Sequence, residues 1–315
     1  MKRFLLKFLF FLLLIIPSYP IYLFFVGSIP KIRLPNFHYL LGEGSAHSFN
    51  RFREAKEFTD IDVLFLGSSL AYRGFDVRVF EKYGLKSFVL GAGGIPPNQV
   101  QFLLDRYLRS LNPKVIVYGI SPERFLSDGV GTAIDIMSND RIDNLSIKMA
   151  MKLNHIKVYN TLIYGSIRQF FKMDSNFSQP LQIDTQIYIS GGYVEINESR
   201  DVNGERKKPE SAKEQRFRQD QIDAFSGIVS GFKYQGQKYI LLRPPVTKDD
   251  FYRFNNDEFD ALMHKSGHYY DFNEILNFTD DYFLDFMHLT QEGAEIFSRT
   301  VAELILSLNI FETTD

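Results

Sequence analysis

The sequence predicts an α/β protein built on a parallel sheet. Three observations carry that prediction. Short apolar runs at Asp62–Leu66, Ser87–Leu90 and Val115–Tyr118 are each bounded by turn residues. Helical patterns at Asp76–Tyr83 and Pro97–Leu111 separate them. The same rhythm resumes late in the chain at Lys238–Leu242. Strands buried on both faces read as continuous apolar runs. A β-α-β-α-β order this compact implies parallel pairing through right-handed crossovers.

The chain opens with Lys2, Arg3 and Lys7 ahead of an apolar run from Phe8 to Val26, broken only by Pro17, Ser18 and Pro20. A run of this length can cross a bilayer as a helix, and flanking basic residues stay cytoplasmic. Residues 1–30 therefore read as a signal anchor, single-pass in the cell membrane, with the rest of the chain extracytoplasmic. A cleaved signal peptide is the alternative, although Gly27-Ser28, followed by Ile29-Pro30, makes a poor cleavage site. A buried helix of a soluble domain is the third reading. Residues 31–58 show no sustained period and read as a stalk. The folded domain is expected over 59–315.

Within it, Asp76 is a candidate N-cap and Gly84 a stop. Val100, Leu103, Leu104, Tyr107 and Leu108 form a helical stripe. Residues 136–172 look helical, and Gln186–Ile196 reads as a hairpin turning at Gly191-Gly192. Residues 197–216 read as an exposed polar loop, leading into a helix from about Ser211 to Phe232. The stretch 125–210 is thus expected to be an insertion over one end of the sheet, a lid or a partner surface. Lys238–Leu242 then forms a strand ending at Arg243-Pro244-Pro245. A helix at Asp257–Lys265 and a strand at Tyr269–Phe272 follow. A helix from Gln291 to Leu308 closes the chain, with Thr290 as its N-cap.

The composition excludes several classes. Cysteine is absent, which removes disulfides, thiolate catalysis and Cys-ligated metals. A net charge of −2 calls for neither nucleic acid nor an anionic surface. His264 and His268 are four apart, but Gly267 interrupts the helix and no third ligand is evident, so they read as surface residues. His38, His47 and His155 belong to no constellation.

Two motifs carry chemistry. Val63–Leu66 runs into Gly67-Ser68-Ser69, and Asp285-Phe286-Met287-His288 sets a carboxylate three residues before a histidine. In an open parallel sheet, sites form beyond the carboxyl ends of the strands. That places Ser69, the glycines Gly91, Gly93 and Gly94, and the Asp285/His288 loop together. Ser69 is the expected nucleophile, His288 its base and Asp285 the orienting carboxylate. Ser68 is the alternative nucleophile. Asp280 and Asp281 are alternative carboxylates, read as solvated loop residues. Arg73, Gly93 and Arg243 are candidate substrate-binding residues. No metal or cofactor is called for.

These residues resemble the SGNH/GDSL hydrolase superfamily. Gly67-Ser68-Ser69-Leu70-Ala71-Tyr72-Arg73-Gly74 resembles its nucleophile turn, with Ser68 where an Asp is usual. Val89-Leu90-Gly91-Ala92-Gly93-Gly94 resembles the second block, with Val89 where an Asn is common. Asp285-x-x-His288 resembles the last block. The resemblance covers roughly 60–125 and 235–308. It implies a three-layer, flavodoxin-like α/β/α fold with a mostly parallel five-stranded sheet. It also implies a Ser-His-Asp hydrolase or acyltransferase with Ser69 and Gly94 in the oxyanion hole. The third block departs from the pattern: Ser121 stands where the family has an oxyanion Asn. That departure resembles membrane-anchored branches that assist teichoic-acid D-alanylation and O-acetylation of exported polysaccharides. It implies an acyl-ester or glycan substrate and a membrane-bound O-acyltransferase partner. A non-catalytic scaffold subunit with the same fold is the alternative, and a small-ligand binding protein is a third reading.

Overall fold

The computed structural model describes residues 1–29, 35–43, 46–198, 210–308 and 310–311. The last residue of the expected anchor (30), parts of the expected stalk (31–34 and 44–45) and part of the expected polar loop (199–209) lie outside the described residues. The chain begins with α1 (Lys2–Gly27) and α2 (Ser48–Glu54), then β1 (Val63–Gly67), α3 (Ser69–Tyr72) and α4 (Val77–Lys82). Next come β2 (Ser87–Gly91), α5 (Pro97–Leu111), β3 (Val115–Gly119) and a 3₁₀ turn at Pro122–Phe125. Then follow α6 (Val130–Asn139), α7 (Asn144–Leu153), α8 (Ile156–Phe170), β4 (Gln182–Ile183), β5 (Gln186–Ile189) and β6 (Tyr193–Ile196). The last part holds α9 (Gln219–Tyr234), β7 (Lys238–Arg243), α10 (Lys248–Phe251) and α11 (Asn256–Ser266). It ends with β8 (Tyr269–Asp271), α12 (Phe272–Leu276) and α13 (Gln291–Ser307).

Five strands form a parallel sheet in the order β2-β1-β3-β7-β8. Alternate side chains leave a strand on opposite faces, and here both faces are covered. Leu64, Leu66, Phe88, Leu90, Ile116, Tyr118 and Leu241 enter one core with α5, α9 and α11. Val63, Phe65, Val89, Val115, Val117, Ile240 and Leu242 enter the other with α4, α12 and α13. The result is the expected α/β architecture, with helices on both sides of a buried parallel sheet. Each fully buried aliphatic or Phe side chain here contributes about 1.5–3 kcal/mol relative to exposure.

The hairpin forms where Gly191-Gly192 lies between alternating residues, and both glycines take positive φ. Its tip docks on edge strand β2, with Val89 N–H donating to the Gly191 carbonyl at 2.8 Å. This covers an edge that would otherwise offer unpaired backbone groups. A Cβ on Gly192 would lie 2.2 Å from the Val89 carbonyl oxygen, so no other residue fits there.

Two expectations are corrected. Residues 46–58, expected as stalk, belong to the folded domain: Phe52 and Ala55 are fully buried in the first core, and Arg51 is fully buried beside them. The helix expected from Ser211 begins at Gln219, because 210–218 runs as an irregular segment tied to neighbouring loops. There Ala212 N–H donates to the Arg253 carbonyl and Arg218 N–H to the Phe125 carbonyl. Helix α1 is long and apolar enough to cross a membrane, with a mean hydropathy of 2.3 over its most apolar window.

Candidate active site

The sheet register assembles the site. Gly67 at the end of β1 pairs with Gly91 of β2 on one side and Gly119 of β3 on the other. The chain leaves each of these three strands at the same level. A Cβ on Gly91 would lie 2.0 Å from the Gly67 carbonyl oxygen, and one on Gly67 would lie 2.4 Å from the Gly119 carbonyl oxygen. The strands can leave the sheet this closely only as glycines. Ser68-Ser69, Gly93-Gly94 and Ser121 follow those three exits.

Ser69 begins α3, immediately after Ser68. The Ser68 hydroxyl accepts from the Leu70 N–H at 3.4 Å and is buried, capping the helix. It is the Ser69 hydroxyl, not that of Ser68, that lies against His288. Phe65, Phe75 and Phe297 pack beneath the turn, with ring centroids 4.2 Å and 5.0 Å apart, and join the Ser69 segment to α13.

His288 arrives from a tight loop just before α13. The loop closes through a bridge between Phe283 and Leu289, and the Leu284 N–H donates to the His288 carbonyl at 2.8 Å. Thr247, in the loop after β7, fastens it by donating from both its N–H and its hydroxyl to the Phe286 carbonyl. Inside the loop, Asp285 Oδ1 accepts from the N–H groups of Met287 and His288, both at 2.8 Å. This Asx-type turn is the physical reason for the three-residue spacing. It leaves Oδ2 facing His288 Nδ1 at 2.6 Å, while His288 Nε2 lies 2.8 Å from Ser69 Oγ. Burial alone would raise the Asp285 carboxyl. The hydrogen bond and charge of His288, with the two backbone donors, overcome it and hold the group at about 2. Asp285 is therefore ionised across the neutral range. Asp280 and Asp281 sit in a separate 3₁₀ turn, both exposed.

The other expected residues divide. Gly94 takes a φ of +64°, and the Arg124 guanidinium lies 2.8 Å from where its Cβ would stand. Gly93 is exposed, and its carbonyl accepts from the Thr132 hydroxyl at 3.0 Å. Ser121 is buried at the start of the 3₁₀ turn without capping it through its side chain. Arg73 lines a narrow crevice with Pro244, Met287 and His288, and donates to Gln186 on β5 at 3.1 Å. Arg243 is a correction. It is 1% exposed, stacked 4.2 Å over Phe251 and bonded to Asn256 and Asp271, so its guanidinium is consumed in the core.

A cleft of about 410 Å³ opens beside Gly93 and Gly94, lined also by Arg124, Thr132, Gln215 and Arg253. A larger cavity of about 640 Å³ lies at the other end of the sheet, around Lys238 and His268, and contains no member of the Ser69-His288-Asp285 set. Sequence reasoning missed Arg51. Its guanidinium donates to the carbonyls of Ala46, Gly91 and Gly192 and lies 4.3 Å over the Tyr72 ring. It therefore ties the end of β2 and α3 to the hairpin, and no motif announces that role.

No protein-family model matches the sequence, and no curated protein matches it. Among solved structures, the chain is similar to one from Bacteroides fragilis called a "putative acylhydrolase". The two are 10% identical, with 85% of this chain and 99% of that one covered, at a TM-score of 0.43.

Proposed function

We propose that the protein is an extracytoplasmic serine esterase or O-acyltransferase of SGNH type, acting on acyl esters, acetyl above all, of a cell-envelope glycan. The observation that carries this reading is the continuous hydrogen-bonded line from Ser69 Oγ through the His288 ring to Asp285. Ser69 Oγ attacks the ester carbonyl carbon while His288 Nε2 takes its proton. Asp285 holds the tautomer that leaves Nε2 free to accept, and stabilises the imidazolium. The carbonyl oxygen becomes an oxyanion held by the N–H groups of Ser69 and Gly94, with the Ser121 hydroxyl as third donor. Collapse expels the alcohol, which leaves with the proton from His288. Water or a sugar hydroxyl then reverses these steps and frees Ser69. The cleft beside Gly94, within the usual size range for a small-molecule site, takes the glycan end of the substrate. A membrane-bound O-acyltransferase is the proposed source of acyl groups.

The test uses the full chain in detergent with p-nitrophenyl acetate and a fluorophosphonate probe. Labelling that disappears in Ser69→Ala, and turnover that falls to a small residual in Ser69→Ala and in His288→Ala, support the reading. Absence of both turnover and labelling in the wild type overturns it in favour of a non-catalytic scaffold.

A further inference from the structure

The geometry points to a second membrane contact: the corner between α7 and α8 lies in the outer headgroup layer of an anionic phospholipid bilayer and seats the domain on the membrane. This inference rests on the reading that α1 crosses the bilayer.

Helix α1 does not stand apart from the domain. The Tyr19 hydroxyl donates to Asn160 Oδ1 at 2.7 Å, and Leu23 is buried against Tyr164. One step of four residues along α1 thus matches one step of four along α8, so the two helices run in the same direction. Further out, a Cβ on Gly27 would lie 2.7 Å from the Tyr164 ring, so the close approach persists to the end of α1. Outward along α1 is therefore outward along α8, and the amino end of α8 points back toward the membrane.

The depth follows from helix geometry. At 1.5 Å per residue, Lys2 to Tyr19 spans about 26 Å, close to the thickness of a hydrocarbon core. With Lys2 and Arg3 at the inner surface and the Lys7 ammonium reaching back to it along its own aliphatic stem, Tyr19 and Tyr22 fall at the outer interface, where tyrosines are favoured. Ile156 lies four residues before Asn160, hence about 6 Å deeper than the Tyr19 contact. That is the depth at which interfacial helices bury their apolar residues.

The surface chemistry of the two adjoining helices agrees. Ile147, Met151 and Ile156 are 44%, 66% and 46% exposed, although nothing in the fold requires apolar residues there. Lys148, Lys152 and Lys157 lie among them, and the sequence from Asn144 to Lys157 contains no acidic residue. Apolar side chains interspersed with lysines on adjoining helix ends suit an anionic interface, where the apolar groups enter the acyl boundary and the ammonium groups meet phosphate.

The chain has no cysteine, so single-cysteine variants take a fluorophore at one site only. The full chain is reconstituted in phosphatidylcholine–phosphatidylglycerol vesicles carrying acyl-chain-brominated lipid. An environment-sensitive fluorophore is placed at Met151→Cys or Ile156→Cys, with Leu13→Cys in α1 and Phe170→Cys as references. Phe170 is 80% exposed on the same helix but about 21 Å further from the membrane. The expected result is loss of emission and a blue shift at 13, 151 and 156, with neither at 170. Quenching at 13 alone overturns the proposal and leaves the anchor intact. No quenching at 13 overturns the anchor reading and the proposal with it. Quenching at 170 as strong as at 156 overturns the orientation. Replacing the three lysines by glutamate should weaken the effect at 151, and indifference to that change overturns the electrostatic part.

Discussion

Replacing Asp285 by asparagine removes the charge behind His288 and little else. The asparagine carbonyl can still accept from the Met287 and His288 N–H groups, so the loop that Asp285 Oδ1 organises is retained. The imidazolium loses its counter-charge at 2.6 Å. Unit charges about 4 Å apart interact by about 1 kcal/mol in water and about 4 kcal/mol near a protein surface. The Asp285 side chain is 52% exposed, so solvent screens part of this. An intermediate value of about 2 kcal/mol corresponds to about 30-fold in rate. The amide also offers an N–H to Nδ1 and favours the tautomer that cannot take the Ser69 proton. The combined loss in kcat/KM should be about 10²–10³-fold, short of the roughly 10⁴-fold seen where the triad carboxylate is fully buried. The assay is p-nitrophenol release, repeated in a His288→Ala background. There Asp285→Asn should cost nothing further, because a positioning group acts only through the residue it positions. A loss under threefold in the single variant, or an undiminished loss in the His288→Ala background, would refute the triad reasoning.

Other perturbations test the scaffold. Gly91→Ala forces a Cβ against the Gly67 carbonyl oxygen, a backbone contact that cannot rotate away; it should cost about 3 kcal/mol in urea unfolding and depress turnover by displacing Ser69. Phe52→Ala should cost about 3–5 kcal/mol if residues 46–58 are core, and under 0.5 kcal/mol if they are a stalk. His47 is fully buried; burial, then the nearby Arg51 charge, lowers it from 6.5 to about 4. Because its folded pKa is depressed, the unfolded chain binds more protons between those values. Stability is thus full above about pH 6.5 and falls by at most about 3 kcal/mol toward pH 4. Asp250, raised to about 6 mainly by burial, acts in the opposite sense. The readout is therefore the difference between wild type and His47→Gln, which should shrink as the pH falls. A constant difference would show that His47 does not titrate between the two states.

Legibility tracked the range of the interactions involved. The N-caps Asp76 and Thr290 could be read directly, since each accepts from an N–H two or three residues on. The Asp285–His288 spacing was readable for the same reason. Strands β1, β2 and β3 could be read as buried because their apolar runs are continuous over both faces. Helix α2 could not: seven residues hold too short a pattern, and Arg51 within it looks solvated until the Gly91 and Gly192 carbonyls surround it. Arg243 misled in the same way, because Asn256, Phe251 and Asp271 reach it from other elements.

The sequence by itself determined the local parts: an apolar first helix, alternating strands and helices, a serine at a strand end and a carboxylate turned onto a histidine. Whether those parts meet was decided only by the tertiary structure. Ser69 and His288 are 219 residues apart, and no local hydrogen bond relates them. They come within bonding distance because three glycines let β1, β2 and β3 end in register, and because α13 packs its phenylalanine beneath the turn that carries Ser69.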